Sequence, residues 1–246
     1  MTILVTRPSP DGDELVTRLR SMGKEAWALP LIEFGPGDDL PRLPGLVSGL
    51  QAGDLIFALS QHAISYAQPV LNETNVRWPP SVGYYAIGRK TALALHTASA
   101  RPVGWPKERS TSEILIQLPI LNSVAGKQAL ILRGNGGREL LATTLVERGA
   151  TVHIVECYQR RGKVYDGAIE GKRWRDRQIT TLVVTSGEML QQLYQLFPDV
   201  DRNEWLLHCR LVVASARLAT LARESGWACI TVADGADNDA LLRALQ

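Results

Sequence analysis

Three segments of this chain occur twice, and the second set stands in a different order from the first. Ile3–Gly23 resembles Leu130–Gly149, each an apolar run followed by an arginine, an amphipathic stretch and a glycine stop. Leu55–His62 resembles Leu182–Met189, and Tyr85–Leu95 resembles Val213–Ala222. In one set the strand–arginine–helix unit comes first; in the other it comes last. A tandem duplication would keep one order. The permuted order predicts interleaved domains: the chain starts one domain, leaves to build a second whole, then returns to finish the first. That assigns 1–34 and 162–246 to domain 1 and 35–161 to domain 2. Pro30–Phe34 leaves and Val155–Arg160 returns; both read as extended, and two linker strands are expected to pair across the hinge between the domains. A general likeness among α/β units is the alternative reading.

The local pattern agrees with α/β layering. Strands are expected at Ile3–Arg7, Ala26–Leu29, Leu55–Leu59, Tyr84–Ile87, Ala129–Leu132, Val152–Val155, Leu182–Thr185, Leu211–Ala214 and Ile230–Val232. Their apolar runs are mostly continuous rather than alternating, as in strands buried on both faces of a parallel sheet. Helical spacing recurs at Asp13–Met22, Glu139–Arg148, Leu190–Phe197, Arg217–Glu224 and Asn238–Leu245, and strand–helix alternation favours two parallel sheets. With 27 basic and 25 acidic residues the net charge is +2, so no strong field recruits nucleic acid or an anionic membrane. The apolar run at the N-terminus, Ile3–Val5, is too short and its charge, at Arg7, misplaced for a signal peptide. Three scattered cysteines suit a reducing compartment. The expected setting is cytoplasmic.

Ligands of open parallel sheets bind beyond the C-terminal strand ends, where helices begin. Small or hydroxyl residues stand at nearly every such end here: Ser60, Gly88, Gly134, Ser186, Gly187 and Ser215. Unpaired helix-terminal N–H groups attract anions there. Arg7, Arg89, Arg133 and Arg138 share these ends, and His62 follows Ser60. The set points to a cleft for a multiply negative ligand, although helix capping alone also explains the serines and glycines. The loop Gly134–Gly137 matches neither a dinucleotide fingerprint nor a P-loop. No histidine pair has metal spacing, and no metal is expected. Tyr158, on the returning linker, could donate a proton to a leaving oxygen or simply cover the hinge.

The segments Ile3–Pro8, Leu55–Ser60, Ala86–Gly88, Leu132–Leu140, Val155–Tyr158 and Val183–Gly187 together resemble the uroporphyrinogen-III synthase family, most closely its enterobacterial form, over essentially the whole chain. The resemblance implies two flavodoxin-like domains joined by a two-stranded linker. It implies a cofactor-free cyclisation of the linear tetrapyrrole hydroxymethylbilane to uroporphyrinogen III, with loss of water and inversion of ring D through a spirocyclic intermediate. Tyr158 takes the place of the family's proposed acid, and Ser60 and Ser186 that of its strand-end serines. A threonine pair that some members carry is Arg217-Leu218 here, so no threonine role carries over. The substrate's eight carboxylates call for distributed amides and a few arginines. A monomer is expected, with transient contact with the enzyme that makes hydroxymethylbilane left open. The rival readings are a two-lobed binding protein or sensor for a polyanionic small molecule, and a nucleotide-using enzyme built on the Gly134–Gly137 loop.

Overall fold

The computed structural model describes residues 1–246. In chain order its first elements are β1 (Thr2–Val5), α1 (Asp11–Ser21), β2 (Glu25–Ala28), β3 (Ile32–Pro36), α2 (Leu43–Ser48), β4 (Leu55–Ala58) and α3 (Gln61–Glu73). Next come β5 (Gly83–Ala86), α4 (Arg89–Ser99), α5 (Ser112–Leu115), β6 (Gln128–Gly134), α6 (Leu140–Glu147) and β7 (Thr151–Gly162). The chain finishes with α7 (Gly167–Asp176), β8 (Thr181–Val184), α8 (Gly187–Leu196), α9 (Asp199–Glu204), β9 (Arg210–Val213), α10 (Ala216–Glu224), β10 (Ile230–Val232) and α11 (Asn238–Ala244). No helix is long and apolar enough to cross a membrane.

The chain divides into two compact units, Met1–Phe34 with Arg161–Gln246, and Gly35–Arg160. The first holds a parallel sheet ordered β10-β9-β8-β1-β2. The second sheet is ordered β3-β7-β6-β4-β5, with β4 to β7 parallel. The repeated segments occupy matching places. The run β9-β8-β1-β2 in one sheet corresponds to β5-β4-β6-β7 in the other, so each repeated strand sits beside the counterparts of its neighbours despite the different chain order. The covering helices match too: α1 and α6 lie on one face of their sheets, α8 and α3 on the other.

Burial explains the continuous apolar runs. In the second unit Leu55 and Phe57 of β4 pack with Leu141 and Leu145 of α6, while Ile56 and Ala58 pack under Ile64 and Leu71 of α3. In the first, Ile3 and Val5 meet Leu15 and Leu19 of α1, and Leu4 faces Leu190 and Leu193 of α8. Each such side chain adds about 1.5–3 kcal/mol when fully buried, which favours apolar residues at both parities of the strand.

The structure extends the sequence reading at several places, adding helices α2, α3, α4, α5, α7 and α9 to the five expected. The expected strand Val152–Val155 and the extended returning segment are one strand, β7, because pairing with β6 continues from Gln128 to Gly134. Helix α7 had no expected counterpart: only Glu170, Gly171 and Trp174 of its ten residues are buried, too narrow a stripe to register as helical periodicity.

Asp54 aligns the strand starts of the second unit. Buried, it accepts the Gln51 N–H at 2.7 Å and the Gln128 N–H at 2.8 Å through its carboxylate, and the Gly83 N–H at 2.8 Å through its carbonyl. Asp54→Ala leaves two N–H groups unmet and should destabilise the protein by about 2–3 kcal/mol, read from the urea unfolding midpoint; a shift within error would show that the carboxylate does not hold these strands.

Candidate functional site

At the C-terminal edge of the second unit's sheet, a cavity of about 210 Å³ opens among Leu59, Ser60, Ile87, Ser112, Arg133, Gly134, Asn135, Gly137, Arg138 and Tyr158. Ser60 takes extended geometry and caps α3, its Oγ accepting the Ala63 N–H at 3.2 Å. The same oxygen donates to Tyr158 Oη at 3.0 Å. One hydroxyl therefore closes the helix end and orients the phenol. His62 and Tyr66, one turn apart on α3, bring their rings to 5.6 and 6.1 Å from the Tyr158 ring, the Tyr66 ring nearly parallel at 21°.

The loop after β6 forms the other wall. Gly136 turns it at a φ of 69°, where a side chain would strain the backbone. Asn135 ties the loop to β7: its N–H donates to the Tyr158 carbonyl at 3.1 Å and its Oδ1 accepts the Arg160 N–H at 2.7 Å. Arg133 lines the cavity and also holds the loop. It is buried, and its guanidinium donates to the Gly137 and Arg138 carbonyls at 3.5 and 3.3 Å and to Glu139 at 2.9 Å, so it latches the loop. Arg138 is exposed and pairs with Glu113 at 2.7 Å. Arg89 opens α4 behind the extended Gly88, exposed and without an ion pair.

The first unit repeats the capping pattern. Ser186 accepts the Met189 N–H at 3.2 Å at the head of α8, which begins at Gly187, and Ser215 accepts the Leu218 N–H at 3.4 Å at the head of α10. Arg7 is bound within its own unit: it donates to Asn238 Oδ1 and pairs with Asp11 at 3.0 Å. Burial lowers its pKa against the pull of Asp11 and Asp237. The sequence-expected residues thus fall into two sets, Ser60, His62, Gly88, Arg89, Arg133, Gly134, Arg138 and Tyr158 in one unit and Arg7, Ser186, Gly187 and Ser215 in the other.

Asn135, Tyr66 and Ser112 were not singled out from sequence. Tyr66 lies four residues after His62, the spacing that stacks two side chains on one helix face, and that signal was available. Asn135 lies in the strand-end loop Gly134–Gly137 read from the sequence, but its ties to β7 were not legible; Ser112, at the start of α5, is brought to the cavity only by folding.

A family model described as Uroporphyrinogen-III synthase HemD matches residues 13–243. The chain belongs to the uroporphyrinogen-III synthase family. It is 60% identical over 246 residues to the uroporphyrinogen-III synthase of Escherichia coli (strain K12) and 59% identical to that of Salmonella typhimurium (strain LT2), with 100% of each chain covered in both cases. A crystal structure of a mutant uroporphyrinogen III synthase from Thermus thermophilus matches it with a TM-score of 0.62 at 18% identity, over 100% of this chain and 99% of that one. At that identity the match speaks for the uroporphyrinogen-III synthase fold alone.

Of the cysteines, only Cys229 is exposed; Cys157 and Cys209 are buried. Burial pushes both buried thiols up to about 12, so neither supplies thiolate near neutral pH. Iodoacetamide at pH 8 should therefore label one cysteine in the folded protein and three after denaturation, counted by intact mass. Rapid labelling of Cys157 in the folded chain would contradict the packing beside Tyr158.

Proposed function

We propose that the chain closes hydroxymethylbilane into uroporphyrinogen III, with loss of one water and inversion of ring D. The observation that carries this reading is the Tyr158 hydroxyl in the cavity wall, held by Ser60 at 3.0 Å. Phenols keep their proton at neutral pH and can give it to a developing hydroxide. Transfer from Tyr158 to the hydroxymethyl oxygen lets the C–O bond break, its electron pair leaving with water while the pyrrole nitrogen's lone pair stabilises the carbon. The substituted carbon of ring D attacks that carbon to give the spirocyclic intermediate. The bond from that substituted carbon to the methylene bridging to ring C then breaks, the ring C nitrogen stabilising the methylene carbon, and the free α-carbon of ring D bonds to that methylene instead. The proton lost as ring D regains its aromaticity replaces the one Tyr158 gave. Overall a C–O and a C–H bond are exchanged for a C–C bond and one water. Because the pyrrole nitrogen drives out the hydroxyl, this chemistry calls for neither metal nor redox cofactor.

The cavity is smaller than the roughly 300–1,000 Å³ of pockets that enclose a drug-sized ligand, a size suited to one substituted pyrrole. In the second unit, substrate carboxylates are assigned to the helix starts at Ser60, His62 and Gly88, whose N–H groups carry positive partial charge, and to the exposed Arg89 and Arg138; in the first unit, Ser186, Gly187 and Ser215 are assigned the same anion-binding role. Arg7 and Arg133 act through the loops they hold, and Gly134 through the space beside Tyr158. The linear substrate also closes without enzyme, to the uninverted isomer. The protein's task is therefore orientation, which can contribute several kcal/mol without strong acid–base groups.

Each unit is read as a flavodoxin-like domain, 1–34 with 162–246 and 35–161. Numbered by appearance within its unit, the first sheet runs 2-1-3-4-5 and the second 2-1-3-4 with β3 at its edge, an order that supports this reading. The working form is taken as a cytoplasmic monomer that meets its supplying enzyme only transiently.

The test supplies hydroxymethylbilane, oxidises the products and separates the isomers. Type III is expected from the protein, and type I alone would overturn the reading. Tyr158→Phe should slow type III formation by about ten-fold to a thousand-fold with the unfolding midpoint nearly unchanged. A wild-type rate in that variant would remove Tyr158 from the chemistry.

A further inference from the structure

Tyr158 stands on the wrong parity for its position. Along a regular strand, alternate side chains share a face. Val155 and Cys157 of β7 are buried together with Ile56, Leu130 and Leu132 under α3, so the next residue should turn to the opposite face. Tyr158 nevertheless packs into the same cluster. The β6–β7 register explains it: Arg133 lies opposite Glu156, but Gly134 lies opposite Tyr158, and Cys157 is the extra residue of a bulge. An added residue reverses the alternation and re-aims the side chains beyond it.

The bulge alone would drive the phenol into whatever side chain stood on β6. A Cβ placed on Gly134 would lie 2.4 Å from Tyr158 Cζ, 2.6 Å from Cε2 and 2.8 Å from Oη, and these are its three nearest neighbours. All three separations are too short for any real contact, and all involve one residue. The backbone of Gly134 has no positive φ, unlike Gly136. Nothing in its conformation requires glycine; the Tyr158 ring does.

We propose that Gly134 is a positioning residue of the reaction: its missing side chain, opposite the bulge at Cys157, is the seat that lets the Tyr158 hydroxyl reach Ser60 and the cavity. This rests on the reading of Tyr158 as proton donor. The competing explanation is that Gly134 is small so that substrate can approach the loop backbone.

A double-mutant cycle separates them. Gly134→Ala should lower kcat by about ten- to a hundred-fold, the scale of an ångström-sized misplacement, with KM little changed. In a Tyr158→Phe background it should cost nothing more, because the hydroxyl it displaces is already gone. A raised KM, or a loss that multiplies with that of Tyr158→Phe, would overturn the proposal in favour of substrate access. Stability gives a readout independent of turnover. Gly134→Ala should lower Tm in the wild-type background, and Tyr158→Ala should remove that penalty by removing the ring. An equal penalty in both backgrounds would show that the ring is not what demands glycine. If Tyr158→Phe alone reacts at the wild-type rate, the functional reading fails, while the Tm cycle still decides the packing.

Discussion

A parallel strand covered by helices on both faces has no side chain to spare for chemistry, and that constraint organises this protein. Along β1, β4 and β8 every residue is buried, and the side chains of β4 alternate between two apolar layers. Polar groups are therefore concentrated at the C-terminal strand ends, in the last strand residues and the few between strand and helix. Ser60, Ser186 and Ser215 all occupy that interval, each capping a helix through its hydroxyl. The cap fixes the helix start, and a helix start presents N–H groups that favour an anion.

Such a design places little demand on side-chain identity. Backbone amides at a helix start are the same whatever residues come after them, so the fold can be kept while the sequence drifts, in line with a TM-score of 0.62 at 18% identity to the Thermus thermophilus structure. The arginines divide accordingly. Arg7 ties together the starts of α1 and α11 and Arg133 holds the loop after β6, each through charge-assisted hydrogen bonds, whereas Arg89 and Arg138 stay exposed.

Much of the fold was legible because burial leaves a simple trace. Nine apolar runs correspond to nine of the ten strands, most ends lying within about two residues of the run, while β7 continues well past its run to Gly162. The repeated segments were legible as well, and the sheets place them in corresponding order. Helix α7 escaped because most of its ten residues are solvated, and α3 carries Pro69 within it, a residue that ordinarily argues against a helix. Of the cavity's residues, those at strand ends could be named in advance. Ser112, far from any strand end in sequence, could not, and the bonds by which Asn135 ties its loop to β7 could not either, since a residue's partners depend on the fold.

Tyr158 marks the boundary between the two kinds of information. Its sequence position, at the end of an apolar run and four residues before Gly162, placed it near a strand terminus because hydrophobic periodicity is a local property. Which face it points to is not local. That depends on a single residue of slippage against β6 and on the bare Cα of Gly134 across the ladder, a relation between segments more than twenty residues apart. By itself the sequence determined which residues end the strands and begin the helices, through apolar runs, capping hydroxyls and glycine stops. Tertiary structure alone decided which of those ends lie side by side in each sheet and how the phenol is aimed, because register is set by pairing between strands and cannot be encoded within either one.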